Sequence, residues 1–162
     1  DKPVVDKTLN LNHHLGMISK VFPHAPMIRI TRNTEDNAWS CFRNFFSQGI
    51  AWSYDLKNIA EFFHHETRLT QHWNQVLGDH ILHITYEDLV DKPTETLTLC
   101  LDHIGLAFEP ELLSFYTRNA LVQTASVGQV RQPINKNSID NHQSVKSQLA
   151  IFIDHYQQLS SL

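Results

Sequence analysis

Glycine is scarce and scattered in this sequence of 162 residues: Gly16, Gly49, Gly78, Gly105 and Gly128 stand alone, so no glycine-rich phosphate loop can be drawn from it. Cysteine is scarcer still. Cys41 and Cys100 each fall inside an apolar helical pattern, which reads as two buried thiols in a reducing, cytoplasmic setting. Apolar runs fall far short of a membrane span, and the first residues, DKPVVDK, resemble no signal peptide. An excess of basic charge is missing too. With a formal net charge of -4 and both signs mixed along the chain, there is no electrostatic footprint for nucleic acid, and any bound anion must be held by a few local cations. Linkers rich in Gly/Ser or Pro and internal repeats are absent. At 41% hydrophobic, residues 1–162 read as one domain with one core.

What is present centres on Met27 to Phe42, MIRITRNTEDNAWSCF. Met27, Ile28 and Ile30 form the apolar run of a short buried strand, and Arg32 follows where the run stops. Asn33, Thr34, Glu35 and Asp36 are residue types that cap a helix and complement its dipole, while Ala38, Trp39, Phe42 and Phe45 continue at helical spacing. An arginine at the carboxyl end of a strand, facing the mouth of a helix, is where open α/β sheets bind phosphorylated ligands. The competing reading is a local ion pair of Arg32 with Asp36 or Glu35.

Val4 and Val5 suggest an earlier strand ending at Asp6-Lys7, then a helix with Leu11, Leu15, Ile18 and Phe22 on one face, closed by Pro23 and Pro26. Together with the Met27 strand this makes a βαβ unit, with parallel strands delivering Lys7 and Arg32 to one edge. The loop Gln48 to Tyr54 carries exposed-looking aromatics. A long helix follows from about Asp55, its N-cap, to Leu77, with Gly78 as its stop and Leu56, Ile59, Phe63, Leu69, Trp73 and Val76 on its apolar face. Its His64, His65 and His72 do not make a metal set, because Glu61 with His65 supplies two ligands at most.

A further strand, His80 to Thr85, ends at Tyr86, so Lys7, Arg32 and Tyr86 are expected along one rim as donors to an anion. Helices near Pro93 and Pro110 come next, the second turning Leu112, Leu113 and Tyr116 inward. Gln123 to Ser138 is a long polar loop, a length usually functional in a compact domain, and His142 to Leu159 closes the chain as one helix.

Four stretches in order, VVDKTLNLNHHLG, MIRITRNTEDNAWSCF, HILHITYEDLVDKP and TASVGQVRQPI, resemble the sulfotransferases that use 3'-phosphoadenosine 5'-phosphosulfate (PAPS). The resemblance is to the branch containing tyrosylprotein sulfotransferases and bacterial tetratricopeptide-repeat sulfotransferases, and it covers nearly the whole chain. It implies a three-layer α/β fold of the P-loop nucleotide hydrolase type, a parallel sheet flanked by helices, with the N-terminal strand and phosphate loop missing from this chain. It implies that Arg32 and Ser40 hold the 3'-phosphate, and that Tyr86 and the loop matching Ser126 to Asn135, Gln129, Val130 and Arg131 included, contact PAPS as cosubstrate, with no metal. Lys7 and Ser126 match the pair that stabilises charge on the transferring sulfuryl group and the bridging oxygen.

The sequence departs from that pattern at Asn44 and Asn141, where the tyrosylprotein enzymes carry basic residues, although Arg43 and Lys136 are near in sequence. The phosphosulfate loop and the general base would both precede Asp1, so these residues alone are expected to be inactive, with an N-terminal segment or an oligomer completing the site. The partner is a hydroxyl acceptor, whether carbohydrate, small molecule or protein tyrosine. Two other readings remain open: a kinase-like phosphoryl transferase, and a degenerate transferase fold serving protein interaction through Ile50 to Tyr54.

Overall fold

The computed structural model describes residues 4–8, 10–44, 46, 49–117 and 131–161. The loop residues Ser126, Gln129 and Val130 lie outside the described residues.

A 3-10 turn, Leu11–His14, leads into α1 (Leu15–Val21), and the chain then turns through Pro23 and Pro26 into β1 (Met27–Thr31). α2 (Thr34–Arg43) starts on Asn33, whose side chain accepts from the Asp36 amide at 3.0 Å, with Glu35 and Asp36 in its positive first turn. A 3-10 turn at Ala51–Tyr54 precedes α3 (Leu56–Leu77), the longest helix among the described residues. Its start is fixed by the Asp55 carboxylate, which accepts from the amides of Lys57 and Asn58. Its end is fixed by Gly78, at φ 50, a backbone geometry that glycine tolerates best. Then come β2 (Ile81–Thr85), the short α4 (Tyr86–Asp91) and α5 (Pro93–His103), with Pro93 at the first turn where its missing N–H costs nothing. A 3-10 stretch at Pro110–Thr117, another at Asn141–Val145, and α6 (Ala150–Ser160) complete the described elements.

β1 and β2 pair in parallel, Met27 against Ile81 through Thr31 against Thr85, and the connection between them holds α2 and α3. This is a mixed α/β fold, a parallel two-stranded sheet flanked by helices, compatible with the P-loop-like architecture that the sequence implied. The core lies where α2, α3 and α6 meet. Ala38, Leu56, Ile59, Ala60, Leu149 and Phe152 are buried together there, with Trp39, Phe63 and Tyr156 packed around them.

Four expectations need correction. β1 forms where its apolar run predicts but is not buried: Ile28 is 41% and Ile30 53% exposed. Val4 and Val5 form no strand: they are 94% and 82% exposed on an extended segment, because a strand is stable only against a ladder partner and they have none among the described residues. No sheet therefore carries Lys7 to the rim. The closing segment is not one helix. Asp140 adopts a left-handed φ of 57 and the Ser144 hydroxyl turns back to the Asn141 carbonyl, so a 3-10 turn precedes α6, while Val145, Leu149, Phe152 and Tyr156 still face the core. The Ile50 to Tyr54 turn is only partly exposed: Ser53 is buried, and the Trp52 ring stacks on Phe62 of α3 at 4.0 Å between centroids. Cys41 and Cys100 are free and half-buried, and burial pushes the Cys41 thiol up to about 11, with Arg32 pulling the other way.

Gly16 has a packing role that its isolation in sequence did not reveal. A Cβ there would lie 2.8 Å from the Trp73 ring, and the Trp73 indole N–H is tied to the Asn12 carbonyl at 2.7 Å, so the ring cannot swing aside without breaking that bond. A helical Gly→Ala change elsewhere gains about 1 kcal/mol, but overpacking costs about 1–3 kcal/mol. Gly16→Ala is therefore expected to lower stability, which a urea melt would check; a rise in the midpoint would show that α1 can back away from Trp73.

Candidate functional site

The parallel register decides what meets at the carboxyl ends of the strands. With Thr31 opposite Thr85, the next residues, Arg32 and Tyr86, come side by side, and the Arg32 guanidinium carbon stands 5.0 Å from the Tyr86 ring centroid. Glu87 tightens the corner: its carboxylate accepts from the Asn33 amide at 2.9 Å, which ties the end of β1 to the start of α4. Thr85 caps α4 by accepting from the Asp88 amide.

Arg32 is held on three sides. Its Nη2 donates to the Ser138 carbonyl and lies 3.9 Å from the Asp36 carboxylate, while Tyr86 covers its face. Its Nε is shut off from solvent with no hydrogen-bond partner among the described residues, a directed donor left over for something else. The rival reading of a local Arg32–Asp36 pair is thus half right. The contact exists, but the main donors to Asp36 come from far along the chain: the Asp140 amide at 2.8 Å, the His142 amide at 2.8 Å and the His142 Nδ1 at 3.0 Å. Burial by itself would raise the Asp36 carboxyl, whose residue is 1% exposed, yet the bonds from His142 and Asp140 outweigh it and hold the carboxyl below its usual range.

Helical spacing aligns Asp36, Ser40 and Arg43 on one face of α2, four and then three residues apart. That face looks toward the segment 131–142. Between them lies a cavity of about 480 Å³ lined by Arg43, Tyr86, Phe115, Pro133, Asn137 and Asn141, among others. Arg32 and Tyr86 also border a larger groove of about 950 Å³ that runs over Ile30, Trp52, Phe62 and Glu66. Within the groove Glu66 is the polar centre, accepting from Asn12 Nδ2 at 2.8 Å, meeting His13 Nε2 at 2.7 Å and lying 3.9 Å from Arg29.

The structure brings Arg32 and Tyr86 together; Ser40, half-buried on α2, lines neither cavity. It does not bring in Arg131, which is exposed, although Gln132 to Asn135 beside it line the smaller cavity. Lys7 sits on an exposed extended segment, where the Asp6 carboxylate accepts from the amide and hydroxyl of Thr8 and so turns the chain around it. Of the two cations near Asn44 and Asn141 in sequence, Lys136 is paired with Asp91, and Arg43 lines the cavity. Sequence reading missed Arg43, Glu87 and His142 as site residues. The seven-residue step from Asp36 marks Arg43; nothing local marks the other two.

Asp36, Asp140 and His142 are also the one group among the described residues able to bring three ligand atoms within 4.8 Å of one another. Their chemistry argues against a cation, because amide and imidazole donors already point at the Asp36 oxygens and the Arg32 guanidinium stands beside them. No helix among the described residues is long and apolar enough to cross a membrane.

Comparison with known proteins gives two findings. The model of a family described as "Sulfotransferase family" matches residues 1–110. A protein of Aquifex aeolicus (strain VF5), described as "Uncharacterized protein", is 27% identical over 158 residues, covering 96% of this chain and 21% of its own length. The chain therefore spans about a fifth of the length of the curated relative it matches.

Proposed function

This chain belongs to the sulfotransferase family, and from that premise we propose that it serves the transfer of a sulfuryl group from PAPS to a hydroxyl acceptor, by holding the 3'-phosphate half of the donor. The observation that carries this is Arg32 clamped over Tyr86 at the carboxyl ends of two parallel strands, with a buried Nε–H that no described residue accepts. A guanidinium fork suits a phosphate better than any other side chain, and a hydroxyl beside it adds a directed donor. Ser40 and Arg43 lie down the same helix face, so the site offers two cations and a hydroxyl where the overall charge of -4 offers none.

The cavity beside Tyr86, walled by Phe115 and Pro133 with the polar side chains of Asn137 and Asn141, suits a flat ring carrying hydrogen-bonding edges. Bound there, PAPS would bring its sulfuryl group on the 5' side, where Lys7 and Ser126 are proposed to act on the developing charge, with Gln129, Val130 and Arg131 as further contacts to the donor. The acceptor is a hydroxyl of a carbohydrate, a small molecule or a protein tyrosine.

Titration calorimetry on the full-length polypeptide with 3',5'-adenosine bisphosphate tests the reading. Binding is expected, with 5'-adenosine monophosphate much weaker. Arg32→Ala should weaken it about tenfold to a hundredfold, since a charge-assisted contact is worth about 1.5–3 kcal/mol. A wild type indifferent to the bisphosphate, or an Arg32→Ala variant that binds as well, would sink the proposal.

A further inference from the structure

Asp36 is the one charged side chain buried among the described residues, and it stands between a guanidinium and an imidazole. On one side, at 3.9 Å, is Arg32; on the other, at 3.0 Å, is the imidazole of His142. The second nitrogen of that imidazole, Nε2, faces Glu35 at 3.9 Å. Glu35, His142, Asp36 and Arg32 thus form a row that alternates in sign whenever His142 carries a proton. Among the described residues, the charged groups facing His142 from the element packed against it are Glu35 and Asp36 of α2, with Arg32 beyond Asp36; Asp140 belongs to its own turn.

A carboxylate shared among several donors cannot fully neutralise one guanidinium. Asp36 leans toward His142, where it takes both the ring and the amide, and this leaves Arg32 part of its charge and its unpartnered Nε–H. The same contacts anchor the segment whose Ser138 carbonyl receives Arg32 Nη2. Held by amides that cannot titrate, the Asp36 carboxylate stays 3.9 Å from the guanidinium that lies over Tyr86.

We propose that Asp36 and His142 are positioning residues for the 3'-phosphate of the donor: Asp36 orients Arg32, and His142 takes up a proton as the anion arrives. An incoming phosphate draws on Arg32 and so releases Asp36 toward the imidazole, which favours its charged form, and a histidine is the side chain whose charge changes near neutral pH. The bond change is a proton transfer from solvent to an imidazole nitrogen, with no other group altered. This rests on the donor reading given above.

Calorimetry of the full-length polypeptide with 3',5'-adenosine bisphosphate, run at about pH 6.5 in two buffers of different ionisation enthalpy, reads affinity and proton uptake together. Asp36→Asn should weaken binding about tenfold. His142→Asn keeps an N–H donor in the place of Nδ1 but has no proton to exchange, so it should hold affinity within about threefold of wild type while its proton uptake falls. The ligand's own protonation is common to both proteins, so the difference belongs to His142. Should Asp36→Asn not fold, His142→Asn decides alone. Unchanged proton uptake in His142→Asn, or an Asp36→Asn variant that binds like wild type, overturns the positioning roles and leaves the donor reading standing. No binding by wild type overturns both.

Discussion

Phe152→Ala should lower the free energy of unfolding by about 3–5 kcal/mol. Phe152 is 1% exposed and sits where three helices meet, among Ala38 of α2 and Leu56, Ile59 and Ala60 of α3. Its ring is edge-on to Phe63 at 5.9 Å and stacked on Tyr156 at 5.6 Å, so truncation removes aromatic contacts as well as apolar area. Those neighbours belong to different elements and cannot collapse together into the space left behind, which puts the loss at the upper end of the usual range. Native domains hold only about 5–15 kcal/mol in reserve, so the variant should also be poorly soluble on expression. Ile151, next in sequence but 54% exposed, is the control, and its truncation should shift stability by about 0.5 kcal/mol or less. Urea unfolding of both variants checks this, and a loss below about 1 kcal/mol for Phe152→Ala would place the core elsewhere.

On the function proposed above, Lys7→Ala should reduce kcat about a hundredfold to a thousandfold while moving the donor KM little, which is the size and pattern expected when one donor to developing charge is removed. Lys7 is exposed, and no hydrogen bond or ion pair engages it among the described residues, so its loss should leave folding untouched. Arg32→Ala should show the opposite split, raising KM more than it lowers kcat, because the contacts proposed for it are to the 3'-phosphate, away from the transferred group. Steady-state kinetics of the full-length polypeptide with PAPS and an acceptor separate the two. A Lys7→Ala variant that loses affinity alone would move Lys7 from the chemistry to binding.

Most of the local structure was legible because its signals are local. The apolar run of β1, the Asn33 cap, and the Asp55 start and Gly78 stop of α3 lie within a few residues of what they control, and each appears where its spacing puts it, although β1 is not the buried strand its apolar run implied. Val4 and Val5 misled because a β-branched pair is only a strand if another strand lies beside it. The corner around Arg32 was legible in part. Its place at the end of β1 follows from period and cap, and its meeting with Tyr86 from the parallel pairing. The partners of Asp36 were not legible, since Asp140 and His142 lie in a polar stretch with no periodicity and act through backbone amides, which carry no residue signature. Arg43 and Lys136 looked equivalent on paper; in the fold Lys136 pairs with Asp91 and Arg43 lines the smaller cavity.

The bond from Asp140 to Asp36 closes a span of 104 residues. Helices such as α3 can form as soon as their own residues exist, but a pairing this distant must wait for loop closure over most of the chain. On the ribosome, Asp36 emerges with the first quarter of these residues and stays hydrated until the turn at Asn141–Val145 has been made. The arginine corner therefore sets late, alongside the core, whose Leu149 and Phe152 emerge later still, and a nascent chain can form α3 and pair its two strands before it has either.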